Sequence, residues 1–214
     1  WTVVSVLHAQ QEPQLDCIQV AVNGDVTLQW TPPNDPTGQF DHYEIVYSIS
    51  PSLTFNSVTN NLTPISQNSF THVTNLSLDN SYYYAVLAWF NDGAGGTLAF
   101  SSDTLRTIHL EAIDASFSCG NCDGLPLLEW NLPADDIALW QGWTIEVYTQ
   151  DATTGAWSLI TVLPSDLTEY LHYIYNCDLV EMNFYVRMVS PWGCEFISNE
   201  ASGLFEDLSY PFSG

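Results

Sequence analysis

Cys119-Gly-Asn-Cys122 is the spacing in this chain that most suggests chemistry. A CxxC pair binds zinc, cycles between dithiol and disulfide, or forms a structural bridge. Structural zinc takes four Cys or His ligands, commonly as two such pairs. Here a single CxxC stands, with Cys177 and His172 as the further ligands on offer. Redox cycling needs a helix N-terminus to lower a thiol pKa, and the sequence predicts no helix. A structural disulfide is the preferred expectation, with Cys119, Cys122 and Cys177 as its candidates. A local Cys119–Cys122 bridge and a zinc site are the alternatives. Cys17 and Cys194 complete an odd set of five cysteines, and the sequence offers them no evident partner.

Other chemistry-bearing residues form weaker patterns. The histidines His8, His42, His72, His109 and His172 are scattered. There is no HExxH, no GxSxG elbow, no P-loop and no GxGxxG after a strand. Asp135-Asp136 has the residue types for glycoside hydrolysis. It follows Leu132-Pro133 in an acid-rich chain, however, and reads as a solvated loop. The runs 34–41 (NDPTGQFD) and 91–96 (NDGAGG) offer carboxylate and carbonyl oxygens to calcium, without the regular acidic spacing of an EF-hand loop. The expectation is a non-enzymatic protein with no catalytic residues, no assigned metal ligands and no cofactor, with structural calcium left open.

Charge narrows the partners. The 214 residues contain 25 acidic side chains, no lysine and only Arg106 and Arg187, for a net charge of -23. Nucleic acid and anionic lipid both require clustered Lys and Arg, so neither partner is expected. No segment approaches the ~20 apolar residues of a spanning helix, so no membrane insertion is expected. Composition is 46% hydrophobic and 14% aromatic, which is enough for packed cores and argues against disorder. Residues 1–9 (WTVVSVLHA) read either as the tail of a secretion signal or as a β-strand.

An internal repeat organises the rest. Residues 26–33 (VTLQWTPP) and 126–133 (PLLEWNLP) place Trp30 and Trp130 one hundred residues apart. The same offset relates Tyr43, Ile45 and Tyr47 to Trp143, Ile145 and Val147. It also relates Tyr82, Tyr84 and Val86 to Met182, Phe184 and Val186. Large apolar residues at period two mark half-buried strands. Turn signals such as Asn23-Gly24, Asn91-Asp92-Gly93 and Thr154-Gly155 separate them. The spacing predicts strands at 16–22, 26–31, 41–49, 53–59, 69–75, 82–90 and 97–104 in the first repeat. It predicts 109–118, 126–131, 142–150, 156–163, 169–175, 183–190 and 195–202 in the second. The fold class is therefore all-β, with two tandem immunoglobulin-like sandwiches. Residues 1–15 form an N-terminal segment, 16–106 the first domain, 107–204 the second and 205–214 a tail. No Gly, Pro or Ser-rich linker separates the domains, and so short a junction limits bending.

The residues also carry a resemblance. Trp30 followed by Pro32, then Tyr43-x-Ile45-x-Tyr47, then Leu76 with Tyr82, Tyr84 and Val86, resembles a fibronectin type III domain. That resemblance makes Tyr82 the corner tyrosine, and Met182 departs from it in the second repeat. It also places the Cys119–Cys122 turn and Cys177 at one pole of the sandwich, where a disulfide would replace the missing corner tie. The segments 101–111 (SSDTLRTIHLE) and 187–200 are similar to junctions in Bacteroidota gliding-motility-associated proteins exported by the type IX secretion system. The resemblance implies an extracellular or cell-surface location. Asp103-Thr104-Leu105 resembles the O-glycosylation site of that phylum, which makes Thr104 a candidate; a turn at a strand end is the favoured alternative. Asn61 and Asn75 begin N-x-Ser/Thr triplets, which matter in a eukaryotic source.

Two surfaces are candidates for a partner. Trp140 and Trp192 fall in loops that share a pole of the second domain; an inter-domain contact that buries both rings is the preferred expectation, and an exposed binding platform is the alternative. Sheet edges without lysine lack a common guard against pairing, and residues 2–7 could add to such an edge. The expected function is structural or adhesive, through contacts with other surface proteins or with copies of itself. The alternative is an accessory glycan-binding module of a secreted hydrolase.

Overall fold

A computed structural model describes residues 12–114, 126–134, 141–151, 153–173, 180–191 and 193–205. The described chain is built from strands, with one 3-10 turn at Leu76–Leu78. The first repeat contains β1 (Gln14–Val20), β2 (Val26–Thr31), β3 (Phe40–Ser48), β4 (Asn56–Leu62), β5 (Ser69–His72), β6 (Tyr83–Asn91), β7 (Thr97–Ser101) and β8 (Leu105–Arg106). The second contains β9 (Leu110–Asp114), β10 (Pro126–Trp130), β11 (Thr144–Gln150), β12 (Trp157–Pro164), β13 (Glu169–Leu171), β14 (Val180–Val189), β15 (Glu195–Ile197) and β16 (Ala201–Phe205). The chain divides into two compact units. Among the described residues, the first holds 12–18, Thr27–His72 and Tyr82–Arg106, and the second holds Gln19–Val26, Val73–Ser81 and those from Thr107 on.

In the first repeat, β1, β2 and β5 are hydrogen-bonded neighbours in that order within a longer sheet, and β4-β3-β6-β7 form a separate sheet, with β8 also on β6. In the second, β13-β10-β9 form one sheet, and β12-β11-β14-β15 the other, with β16 also on β14. Each repeat thus has the two-sheet arrangement of an immunoglobulin-like sandwich. Alternation along the strands explains the cores. In the first, Leu28, Trp30, Tyr43, Ile45, Tyr84, Val86 and Phe90 are buried. In the second, Leu128, Trp130, Ile145, Val147, Phe184, Val186 and Phe196 are buried. Burying each such side chain contributes ~1.5–3 kcal/mol relative to leaving it exposed.

Backbone detail repeats as well. The Trp30 amide donates to the Asn68 carbonyl at 2.9 Å, and the Trp130 amide to that of Thr168 at 2.9 Å. The final strand of each repeat is broken, where the spacing predicts continuous strands over 97–104 and 195–202. A buried serine causes the break. The Val86 amide donates to Ser102 Oγ at 3.0 Å, while Ser102 Oγ donates to the Asp103 carbonyl at 2.7 Å. Val186 and Ser198 repeat the first contact at 3.0 Å, and Ser198 Oγ donates to the Asn199 carbonyl at 2.7 Å. A hydroxyl therefore takes one rung of the ladder. The fourth strand starts at Asn56 rather than 53, because a turn precedes it, with the Leu53 amide on the Ser50 carbonyl at 3.2 Å.

The stretch 107–110 belongs to the second unit through two asparagines. Asn131 accepts from the His109 amide at 2.9 Å and donates to the Thr107 carbonyl at 2.9 Å. Buried Asn199 accepts from the Leu110 amide at 2.8 Å and donates to its carbonyl at 3.0 Å. Both side chains imitate a strand neighbour, which removes four backbone groups from solvent competition.

Candidate functional surface on the second repeat

The β11–β12 hairpin sets the geometry of this surface. Asp151 Oδ1 accepts from the amides of Thr153 and Thr154 at 2.9 and 2.7 Å. Those hydrogen bonds hold its carboxyl below the ordinary range. Gly155 takes φ +69°, in the left-handed region that only glycine adopts without strain. The turn therefore delivers β12 in fixed register to β11, from Gln150↔Trp157 to Thr144↔Pro164.

A bulge interrupts that register. Val147 faces Thr161 whereas Tyr148 faces Leu159, so Ile160 is the extra residue. Directly opposed residues share a face. Trp157, Leu159, Val162 and Pro164 therefore all lie on the outward face with Gln150, Tyr148, Glu146 and Thr144. Without the bulge, odd and even positions would point to opposite sides. Leu159 is 49% and Val162 52% exposed.

Beside this apolar strip lies an aromatic and ionic cluster. Tyr148 stacks on Tyr185 with centroids 4.6 Å apart and planes 8° apart. Trp157 meets Tyr185 edge-on at 4.7 Å. Arg187 lies over Tyr148, 5.3 Å from its centroid. Its guanidinium donates to Glu146 at 2.9 Å through Nε and to Glu195 at 3.2 Å through Nη1. Tyr148 donates to Glu146 at 2.7 Å and accepts from Arg187 Nη2 at 2.7 Å. Burial pushes Glu146 up, but the hydrogen bonds from Tyr148 and Arg187, with the guanidinium charge, leave it below the ordinary value. Burial, then the hydrogen bond to Glu146, pushes Tyr148 up to about 12. These hydrogen bonds fix Glu146, Tyr148 and Arg187 beside the exposed Leu159 and Val162.

The same sheet of the first repeat differs. His42 stacks on Trp89 at 5.8 Å, and Trp89 Nε1 donates to Glu44 at 3.0 Å. Arg106 donates to Tyr83 at 3.1 Å, so each arginine of the chain is laid against a tyrosine. On the opposite sheet of the second repeat, Glu111, Glu129 and Glu169 stand directly opposite one another across β9, β10 and β13. All three are exposed.

The residues singled out from sequence fall out as follows. Thr104 and Asp103 are exposed in the gap between β7 and β8. Cys119, Cys122, Cys177, Trp140, Trp192 and Asp135-Asp136 lie outside the described residues. Cys17 and Cys194, for which the sequence offered no partner, are both disulfide-bonded. His172 packs among rings, 6.0 Å from Phe184 and 6.1 Å from Tyr170, and its burial lowers its pKa. In the two runs weighed for calcium, carboxylates turn to the backbone. Asp35 accepts from the amides of Gln39 and Phe40 at 3.1 and 2.8 Å, and Asp92 from those of Ala94 and Gly96 at 2.7 and 2.8 Å. Among the described residues, no group of three or more His, Cys, Asp or Glu is placed to hold a metal ion. Likewise, among them no helix is long and apolar enough to cross a membrane. Sequence reasoning missed the Arg187 cluster and the Leu159–Val162 strip. The available signal was the absence of charge from 152 to 165.

Comparison with known proteins gives a fibronectin type III domain match over residues 11–103. No curated protein sequence matches the chain significantly. Among solved structures, the chain is similar to the chicken CNTN1 FN1–FN3 domains at 14% identity and a TM-score of 0.34. That alignment covers 91% of this chain and 65% of the other.

Proposed function

We propose, from the fibronectin type III match over the first repeat and the surface of the second, that this is a non-enzymatic extracellular or cell-surface protein. It acts in adhesion or surface structure through protein–protein contacts. The observation that carries this reading is the outward face of β12 and β11. Trp157, Leu159 and Val162 there adjoin the Tyr148–Tyr185 stack, in a chain otherwise crowded with carboxylates. Exposed apolar and aromatic clusters of this kind mark protein contact sites. Disulfide bonding of Cys17 and Cys194 fits an oxidising compartment. The junction motifs around Ser101–Glu111 and Arg187–Glu200 support export by a type IX route in a Bacteroidota-like source, with Thr104 as a glycosylated residue.

A direct test coats a surface with the native protein and measures capture of cells and of purified surface proteins. Capture that drops in a Leu159→Asp variant supports the reading. Retention on polysaccharide alone, lost in Trp140→Ala or Trp192→Ala, would replace it with a glycan-binding module.

A further inference from the structure

We infer that two copies of this chain pair antiparallel along β12, with Leu159 of one copy opposite Val162 of the other. The inference rests on the reading that the chain acts through protein–protein contacts, and it names one of them. Strand β12 ends its sheet, paired to β11 on one side, and among the described residues no strand pairs with its other edge. An edge of eight residues presents unpaired amides and carbonyls that another strand can satisfy.

The strand is compatible with itself. A register in which Trp157 faces Pro164 also sets Ser158 against Leu163, Leu159 against Val162, and Ile160 against Thr161. Trp157, Leu159, Val162 and Pro164 are all outward, while Ser158, Thr161 and Leu163 face the Thr149, Val147 and Ile145 side. The in-and-out pattern thus reads the same in both directions. The bulge at Ile160 produces this property. A regular eight-residue strand would pair odd with even positions in this register and set outward against inward residues. Bulges commonly guard edges by bending them; this one, near the strand centre, restores the match across a two-fold axis.

Charge selects the same seam. Two copies at -23 each repel, and 25 carboxylates against two arginines make most self-contacts unfavourable. Strand β12 (WSLITVLP) has no ionisable side chain, so no like charges face each other in the pair. The corresponding strand of the first repeat, β4 (NSVTNNL), is also uncharged, but its exposed residues are Asn56, Ser57, Asn60 and Asn61, none of them apolar.

The experiment is sedimentation equilibrium on the full chain across a concentration series, at low and high salt. A monomer–dimer equilibrium is expected, tighter at high salt because salt screens the repulsion. L159K and V162K should each raise the dimer dissociation constant by about tenfold or more, with circular dichroism and thermal melting confirming a folded chain. The double variant L159K/V162E should dimerise again, now less tightly as salt rises, since this register sets each new charge opposite its complement. A wild type that stays monomeric overturns the inference, as do a dimer indifferent to L159K and V162K and a folded double variant that stays monomeric. Assembly lost on deleting residues 1–9 but indifferent to L159K would assign the contact to the N-terminal segment instead. A monomeric wild type that still captures surface proteins would remove only this seam; one that captures none would remove the adhesive reading too.

Discussion

Strand β4 of the first repeat reads NSVTNNL, and its counterpart β12 in the second reads WSLITVLP. Both pair with a neighbour that buries matching residues one hundred positions apart, Ile45 and Ile145. Gln29 of the first repeat has a glutamate, Glu129, at the same offset, and Ser69 has Glu169. The two repeats therefore share the parts that fold and differ in the parts that meet solvent. One outward face of the second became apolar and aromatic, and the opposite sheet became acidic. The second sandwich therefore carries an apolar, aromatic face and an acidic face, set by the registers of β12 on β11 and of β10 on β9, and the first repeat shows no such pair of faces among the described residues.

The largest expected effect tests the shared core. Leu28→Ala and Leu128→Ala each delete a fully buried side chain and should cost about 2–5 kcal/mol. Urea denaturation monitored by tryptophan fluorescence would report each loss. Unequal losses beyond that range would show that the cores are not equivalent.

The serine bridges come next. Ser102→Ala and Ser198→Ala strand the amides of Val86 and Val186 in the core, at about 1–3 kcal/mol each. Thermal unfolding should show similar losses for the two. A shift at only one would mean that the second bridge is dispensable.

Smaller effects separate the repeats. Arg187→Ala should cost about 1 kcal/mol by releasing Glu146 and Tyr148, whereas surface arginine pairs give less. Because the folded Glu146 carboxyl lies below its ordinary value of 4.5, its contribution is complete above that pH. It is lost as pH falls through the folded pKa. Acid titration of stability should therefore flatten in Arg187→Ala at the acid end, and an unchanged slope would rule out the linkage. Smallest of all, Glu129→Gln relieves like charges on both sides and should stabilise by about 0.5 kcal/mol at low salt. The gain should fade as salt rises, and a loss of stability would show that the glutamate row is held by something favourable.

Much of the fold was legible because strand alternation is local. Trp30, Tyr43 and Ile45 announce a buried face within a few residues, and their echoes at Trp130, Trp143 and Ile145 announce a second copy. The break in each final strand was not legible. Ser102 and Ser198 look like ordinary turn residues until the opposing amide is known. The disulfide bonding of Cys17 and Cys194 escaped for a similar reason, since spacing drew attention to the nearby pair at Cys119 and Cys122. Bridging depends on proximity in space, which sequence separation does not encode.

By itself, the sequence determined the class, the tandem count and the extreme acidity, because period, repeat and composition need no knowledge of which strands meet. Tertiary structure alone decided the candidate surface. Arg187 finds Glu146 from 41 positions away, and only the bulge at Ile160 brings Leu159 and Val162 to one face. Register is a relation between strands, so a side chain's face across a bulge is fixed by the partner strand and not by its own place in the chain.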